Sequence, residues 1–355
     1  MTALDTWHGP ALDQPQRALR EMLDAFTAAH DAVLTDDPAQ VTGLVTELAA
    51  LGVWTLGTAE QNGGGGADPT TTALVFERLG RVWPALGWAA VQAHTAVDVL
   101  GADDRFAELI TGLHAGTAAV AVVDAASTGI RLTREGGVLH GSVARVDTAA
   151  ERPYLLVLGE QRHAVLLPPD TLTPEPVRRT GLAGALTRSL RVEAQPGDYH
   201  DLDDVDSTAA RRRLHLGAAV VAAGIAGSAA DAAVDYAAGR EQFGAALTAV
   251  PTVRQTLLGQ ATRVSVLTAA ALGAADEIAV HGALHEACQG AIDVAASALQ
   301  AHGGYGYLTE YGAERRLRDA ISLRAAADPG GAAPSVARTL TGLPPTPTAI
   351  RKDPS

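Results

Sequence analysis

Several things are scarce in this 355-residue sequence, and each scarcity removes a class of answers. There is one cysteine, Cys288, which excludes an intramolecular disulfide and a multi-thiolate zinc site and makes a reducing compartment, the cytoplasm by default, the expectation. Basic charge is short: 27 Lys+Arg stand against 40 Asp+Glu, a formal net charge of −13. That balance repels phosphate backbones and anionic lipid, and no strong basic patch offsets it, so neither nucleic acid nor membrane is an expected partner. No apolar run reaches the roughly 18 residues of a bilayer-spanning helix. The nearest, Leu216 to Ala230, is short and rich in Ala and Gly, which suits a tightly packed buried helix. The opening segment MTALDTWHGPALDQPQRALR lacks the basic start and apolar core of a signal peptide. Internal repeats are absent. Aromatics make up only 4% of residues, so a core must be filled by Leu, Val and Ala on close-packed helices.

What is present divides the chain into segments of different texture, and the length allows two or three domains. Residues 14 to 56 read as two helices, the second carrying Val41, Leu44, Val45, Leu48 and Leu51 at helical spacing. Helical spacing returns from Thr70 to Gly101 and from Asp103 to Gly116. Between Ala118 and Val205 short apolar runs (Ala119 to Val123, Tyr154 to Leu158, Ala164 to Leu167, Ser189 to Val192) alternate with Gly, Pro, Thr and Asp, as in a small β domain. Three long helices follow, from Ala209 to Ala238, Pro251 to Val280 and Gly282 to His302, then a shorter one around Glu314 to Ala326. The expected fold class is therefore α+β and mainly helical. It comprises an N-terminal helical domain (1–117), a small middle β domain (118–205), a C-terminal four-helix bundle (206–328) and an extended tail (329–355) marked by Pro334, Pro344, Pro345 and Pro347.

Four features invite a chemical reading. The cluster Asp201, Asp203, Asp204, Asp206, Ser207 and Thr208 precedes a long helix, where carboxylates and hydroxyls cap free amides; capping is preferred to a metal site. The run Gly63 to Gly66 lacks the Lys-Ser/Thr of a phosphate-binding loop and reads as a turn. His281 and His285 lie four apart beside Glu286, but two ligands without a third do not make a metal site, so no metal is expected. Cys288, inside an apolar helix, reads as a small packing residue.

Three segments together resemble the acyl-CoA dehydrogenase family. Leu51-Gly52-Val53-Trp54 followed by Ala59-Glu60-Gln61-Asn62-Gly63-Gly64 is similar to the family's LGLLGL…PEEYGG passage. Tyr236-Ala237-Ala238-Gly239-Arg240-Glu241-Gln242-Phe243-Gly244 is similar to YAxxRxQFG. Gln300-Ala301-His302-Gly303-Gly304-Tyr305-Gly306-Tyr307, then Glu310-Tyr311 and Arg318-Asp319-Ala320, is similar to QxxGGxGY…EY…RDA. The resemblance spans about residues 14 to 328. It implies the same three-part fold, assembly as dimers or tetramers, FAD as cofactor and an acyl-CoA or other acyl thioester as substrate. In that chemistry a carboxylate takes the α-proton while the β-hydrogen leaves as hydride to the flavin.

Residue by residue, the resemblance gives Arg240 the role of pyrophosphate arginine and Phe243 that of its neighbouring aromatic. It gives Gln300, Gly303 and Gly304 the loop on which a facing subunit's diphosphate and adenosine rest. The Gln expected near the next helix is instead Pro251, with Arg254 three residues on. The ring half of the flavin site departs further. The family's W(I/V)(S/T) segment aligns with Arg145-Val146-Asp147-Thr148, without the aromatic, and its TEPxAGSD segment is only partly matched by Val123 to Gly129. The glutamate of the family's YEGT falls on Ala327, and the alternative glutamate of some members falls on Leu214. No catalytic residue is therefore assigned, Asp328 being the nearest displaced acid.

The leading expectation is a subunit of a heteromeric FAD-dependent α,β-dehydrogenase, like the paired enzymes of bacterial steroid side-chain degradation. This chain would supply the ADP half of the FAD site, and a homologous partner the base. A self-sufficient homo-oligomeric enzyme with an atypical base, and a flavin-free scaffold or binding protein of the same fold, are the alternatives.

Overall fold

A computed structural model describes residues 7–159, 162–242, 244–343 and 350. Five helices come first: α1 (Gln14–Ala28), α2 (Pro38–Ala50), α3 (Pro69–Val82), α4 (Pro84–Leu100) and α5 (Ala107–His114). A recurring device starts them. Asp37 and Asp68 accept hydrogen bonds from the first free amides of α2 and α3, and Pro38 and Pro69 occupy the first helical position, where a missing N–H costs nothing.

Eight strands follow in two sheets. One orders β1 (Val120–Asp124), β4 (Tyr154–Leu158), β5 (His163–Leu167) and β8 (His200–Asp203), with β1 and β4 parallel. The other orders β2 (Ile130–Glu135), β3 (Val138–Val146), β7 (Arg188–Ala194) and β6 (Leu172–Pro176), all antiparallel. Gly136 and Gly137, at φ 57° and 82°, make the tight β2–β3 turn. In the first sheet, successive side chains serve two cores. Ala121, Leu155, Val157, Val165 and Leu167 pack between the sheets, whereas Val120, Val122, Leu156, Leu158 and Leu166 join the helical core. Four of the eight strands, β2, β3, β6 and β8, lie outside the apolar runs that the sequence offered, because their outward positions carry polar or charged residues.

The C-terminal part is built on α6 (Ser207–Gly239), packed among α3, α4, α7 (Pro251–Gly273), α8 (Glu277–Ala301) and α9 (Ala313–Ala327). Contrary to expectation, α6 is long and apolar enough to cross a bilayer, but most of its apolar window is buried inside the protein. It crosses α3 at two glycines: a Cβ on Gly224 would lie 2.3 Å from the Glu77 carbonyl, and one on Gly80 would lie 2.4 Å from that of Val221.

Two expectations are corrected. The segment from 329 is not wholly an extended tail, since Pro329–Leu340 forms α10. It begins with the same Asp–Pro device as α2 and α3, and Pro334, taken as a mark of extended chain, lies inside it. The aspartates before α6 do not act together as caps. Asp206 alone accepts from Ala209 N–H; Asp201 pairs with Arg134 (2.7 Å) and His163 (3.0 Å), and Asp204 with Arg162 (3.1 Å).

Candidate functional site

The residues matched to the ADP half of a flavin site come together on the surface. Arg240 ends α6, and its guanidinium lies over the Tyr305 ring, 5.4 Å from the centroid, directly after Gly303 and Gly304. It donates to no helix carbonyl and, among the described residues, has no carboxylate partner. Gln300, Gly303 and Gly304 are exposed, and beyond each glycine's Cα there is open space. A half-exposed cation beside an open glycine pair fits a diphosphate. Phe243 lies outside the described residues. Arg254 turns away from this surface and donates to the carbonyls of Thr248 (2.9 Å) and Ala249 (2.7 Å).

The second constellation is a cavity of about 230 Å³ where α4, the β1–β2 turn, β3, α6 and the α9–α10 junction meet. Leu214 and Ala327, the two positions where the resemblance places a carboxylate, both line it, although they come from different helices. Neither is an acid. Arg145 stands where the resemblance places a tryptophan. It forks onto Asp147 at 2.5 and 3.1 Å, and that carboxylate is buried and also accepts from Thr187 Oγ1 (2.5 Å). Asp328 reaches the wall in the left-handed conformation, φ 43°. Its oxygens are committed, one to the Gly331 N–H (3.0 Å) as the cap of α10, the other to the Ser127 hydroxyl.

The structure also puts on this wall a residue that the motifs did not single out. His215, one position beyond Leu214, is buried and lines the cavity, and its ring forms no hydrogen bond among the described residues. Burial lowers its pKa from 6.5 to about 4. The available signal was an ionisable side chain within an apolar helical run, next to an aligned base position.

The remaining candidates have structural surroundings. The glycine run folds back through Gly64 N–H to Ala59 O (3.1 Å) and Gly66 N–H to Thr58 O (2.9 Å), with Thr58 against Gly64. His281 and His285 have ring centroids 6.2 Å apart, and no group of three metal-binding side chains occurs among the described residues. Burial pushes the Cys288 thiol up to about 12, which keeps it protonated.

Comparison with known proteins gives two family matches: residues 13–103 match the acyl-CoA dehydrogenase N-terminal domain, and residues 207–328 the acyl-CoA dehydrogenase C-terminal domain. A probable acyl-CoA dehydrogenase of Bacillus subtilis is 26% identical over 357 aligned residues, covering 87% of this chain and 93% of that protein. Among solved structures, glutaryl-CoA dehydrogenase from Mycobacterium smegmatis in complex with FADH2 superposes with a TM-score of 0.77 at 17% identity, over 96% of this chain and 97% of that one. Butyryl-CoA dehydrogenase from Megasphaera elsdenii gives 0.72 at 20% identity, over 90% and 95%.

Proposed function

The chain belongs to the acyl-CoA dehydrogenase family, and from that premise we propose that it is one subunit of a heteromeric FAD-dependent α,β-dehydrogenase of acyl thioesters. Arg240, Gln300, Gly303 and Gly304, together with Phe243, hold the ADP half of a partner's FAD. A homologous partner supplies the glutamate that its own ring cavity needs. FAD, when bound, supplies the hydride acceptor. The observation that carries this reading is the meeting of Leu214 and Ala327 at one cavity with no acid at either. An exposed ADP surface in a chain whose cavity lacks its usual base is what a lending subunit requires. Acyl-CoA, lipid or steroid metabolism and a reducing cytoplasm fit the family and the single thiol.

The test is co-expression with each neighbouring dehydrogenase gene, followed by measurement of flavin per subunit. A stable pair with less than one flavin per chain is expected. Arg240→Ala should lower flavin retention about tenfold or more, as for the loss of a charge-assisted contact. A homo-oligomer fully loaded with FAD and active alone would overturn the heteromer. Colourless protein with every partner and excess FAD would leave a scaffold of the same fold.

A further inference from the structure

Four side chains able to carry charge line the cavity: Asp124, Arg145, His215 and Asp328. Three are already engaged. Asp124 pairs with Arg211 (2.6 Å) and accepts from Ala126 N–H (2.9 Å). Arg145 is forked on Asp147, and Asp328 holds Gly331 and Ser127. His215 alone has a ring free of hydrogen bonds among the described residues. A second cavity, of about 300 Å³ between α6, the start of α8 and α10, shares Asp124, His215 and Ala332 with the first. The imidazole thus stands where the two spaces meet, within reach of a ligand entering from either.

We propose that His215 is the proton acceptor of this chain's own cavity, taking an α-proton from an acyl thioester seated there. The substrate class rests on the family reading; the base goes beyond it. The partner's glutamate serves the partner's cavity, and His215 makes the cavity of this chain a second, unlike centre. In the step, the Cα–H bond breaks and a ring nitrogen gains the proton to give imidazolium. The electron pair stays on Cα and the thioester carbonyl as an enolate, and the proton returns or exchanges with water. Nothing is oxidised.

The surroundings favour the neutral ring that this step needs. Burial outweighs the carboxylate of Asp124 on β1, while the charge of Arg211 on α6 and the proximity of His281 on α8 act in the same direction as burial. Asp328, at the α9–α10 junction, faces the same space. At neutral pH the imidazole therefore keeps a lone pair.

The experiment incubates the full-length chain, with and without added FAD, with phenylacetyl-CoA in deuterium oxide and follows α-deuterium by mass spectrometry. Exchange above that of the thioester alone is expected for the unsubstituted chain. His215→Gln should reduce the enzyme-dependent rate about a hundredfold, and Ala327→Glu added to it should restore exchange by returning a carboxylate to the cavity. Melting temperatures report on folding, and His215→Asn replaces the glutamine variant where that one unfolds. Equal exchange with and without His215 would assign the proton to another group and overturn the proposal. Exchange by Ala327→Glu but not by the unsubstituted chain would also overturn it, with the thioester reading intact. No exchange by either would remove the thioester from this cavity and the proposal with it.

Discussion

His94 and His215 are both buried, both held neutral by burial, and opposite in their bonding. His94, on α4, donates from Nδ1 to the Ala90 carbonyl (2.7 Å) and accepts at Nε2 from the Gly57 N–H (3.1 Å), so each ring nitrogen has a backbone partner. His215, on α6, has neither kind of partner among the described residues and borders open space. Desolvation lowers the first to about 3 and the second to about 4. Burial and a depressed pKa therefore do not separate a structural histidine from an available one. The hydrogen-bond inventory does, because a saturated ring has no lone pair left for a ligand.

The contrast is broken most forcefully at His94. His94→Ala should cost about 3 kcal/mol, since it leaves the Gly57 amide unpaired in the core and opens a cavity; urea unfolding measures it, and a loss below about 1 kcal/mol would contradict the structural role. Acidification comes next. Below an ordinary histidine pKa of 6.5 the unfolded chain binds protons that the native chain excludes, so the contribution of both rings is complete above that pH and is lost as pH falls. The loss should level off near pH 4 for His215 and near 3 for His94. Urea titrations at stepped pH should show a shallower acid slope for a variant lacking either ring than for the unsubstituted chain.

Asp328→Asn tests the acid that looked like a displaced base. Loss of a cap should cost about 1 kcal/mol, readable as a lower urea midpoint. Complete loss of thioester exchange with the fold intact would instead return Asp328 to the chemistry. The smallest effect is expected at His215 itself: His215→Leu removes no hydrogen bond and should change stability by less than about 1 kcal/mol, so a large destabilisation would mean that the ring is structural after all.

Much of the architecture was legible because its signals are local. Helical spacing marked α2 to α9, and β1, β4, β5 and β7 announced themselves as apolar runs. Where polar residues alternate along β2 and β3, the run is broken and the strand hides. α10 was misread because Pro334 and the prolines beyond it outweighed a start signal already used twice upstream. At the site, the motifs located Arg240 and the Gly303–Gly304 pair. The position beside Leu214 attracted no attention, since no motif names it.

By itself the sequence determined the helical texture up to Ala327, the apolar runs of β1, β4, β5 and β7, and that positions 214 and 327 carry no acid, all of which depend on residues close together in the chain. Only tertiary structure decided that those two positions share one cavity, that Asp328 is spent on capping α10, and that His215 faces open space. Neighbouring side chains on a helix point about 100° apart, so which of Leu214 and His215 meets a ligand depends on how α6 is seated against the β1–β2 turn and the α9–α10 junction, a relation between segments that no local pattern encodes.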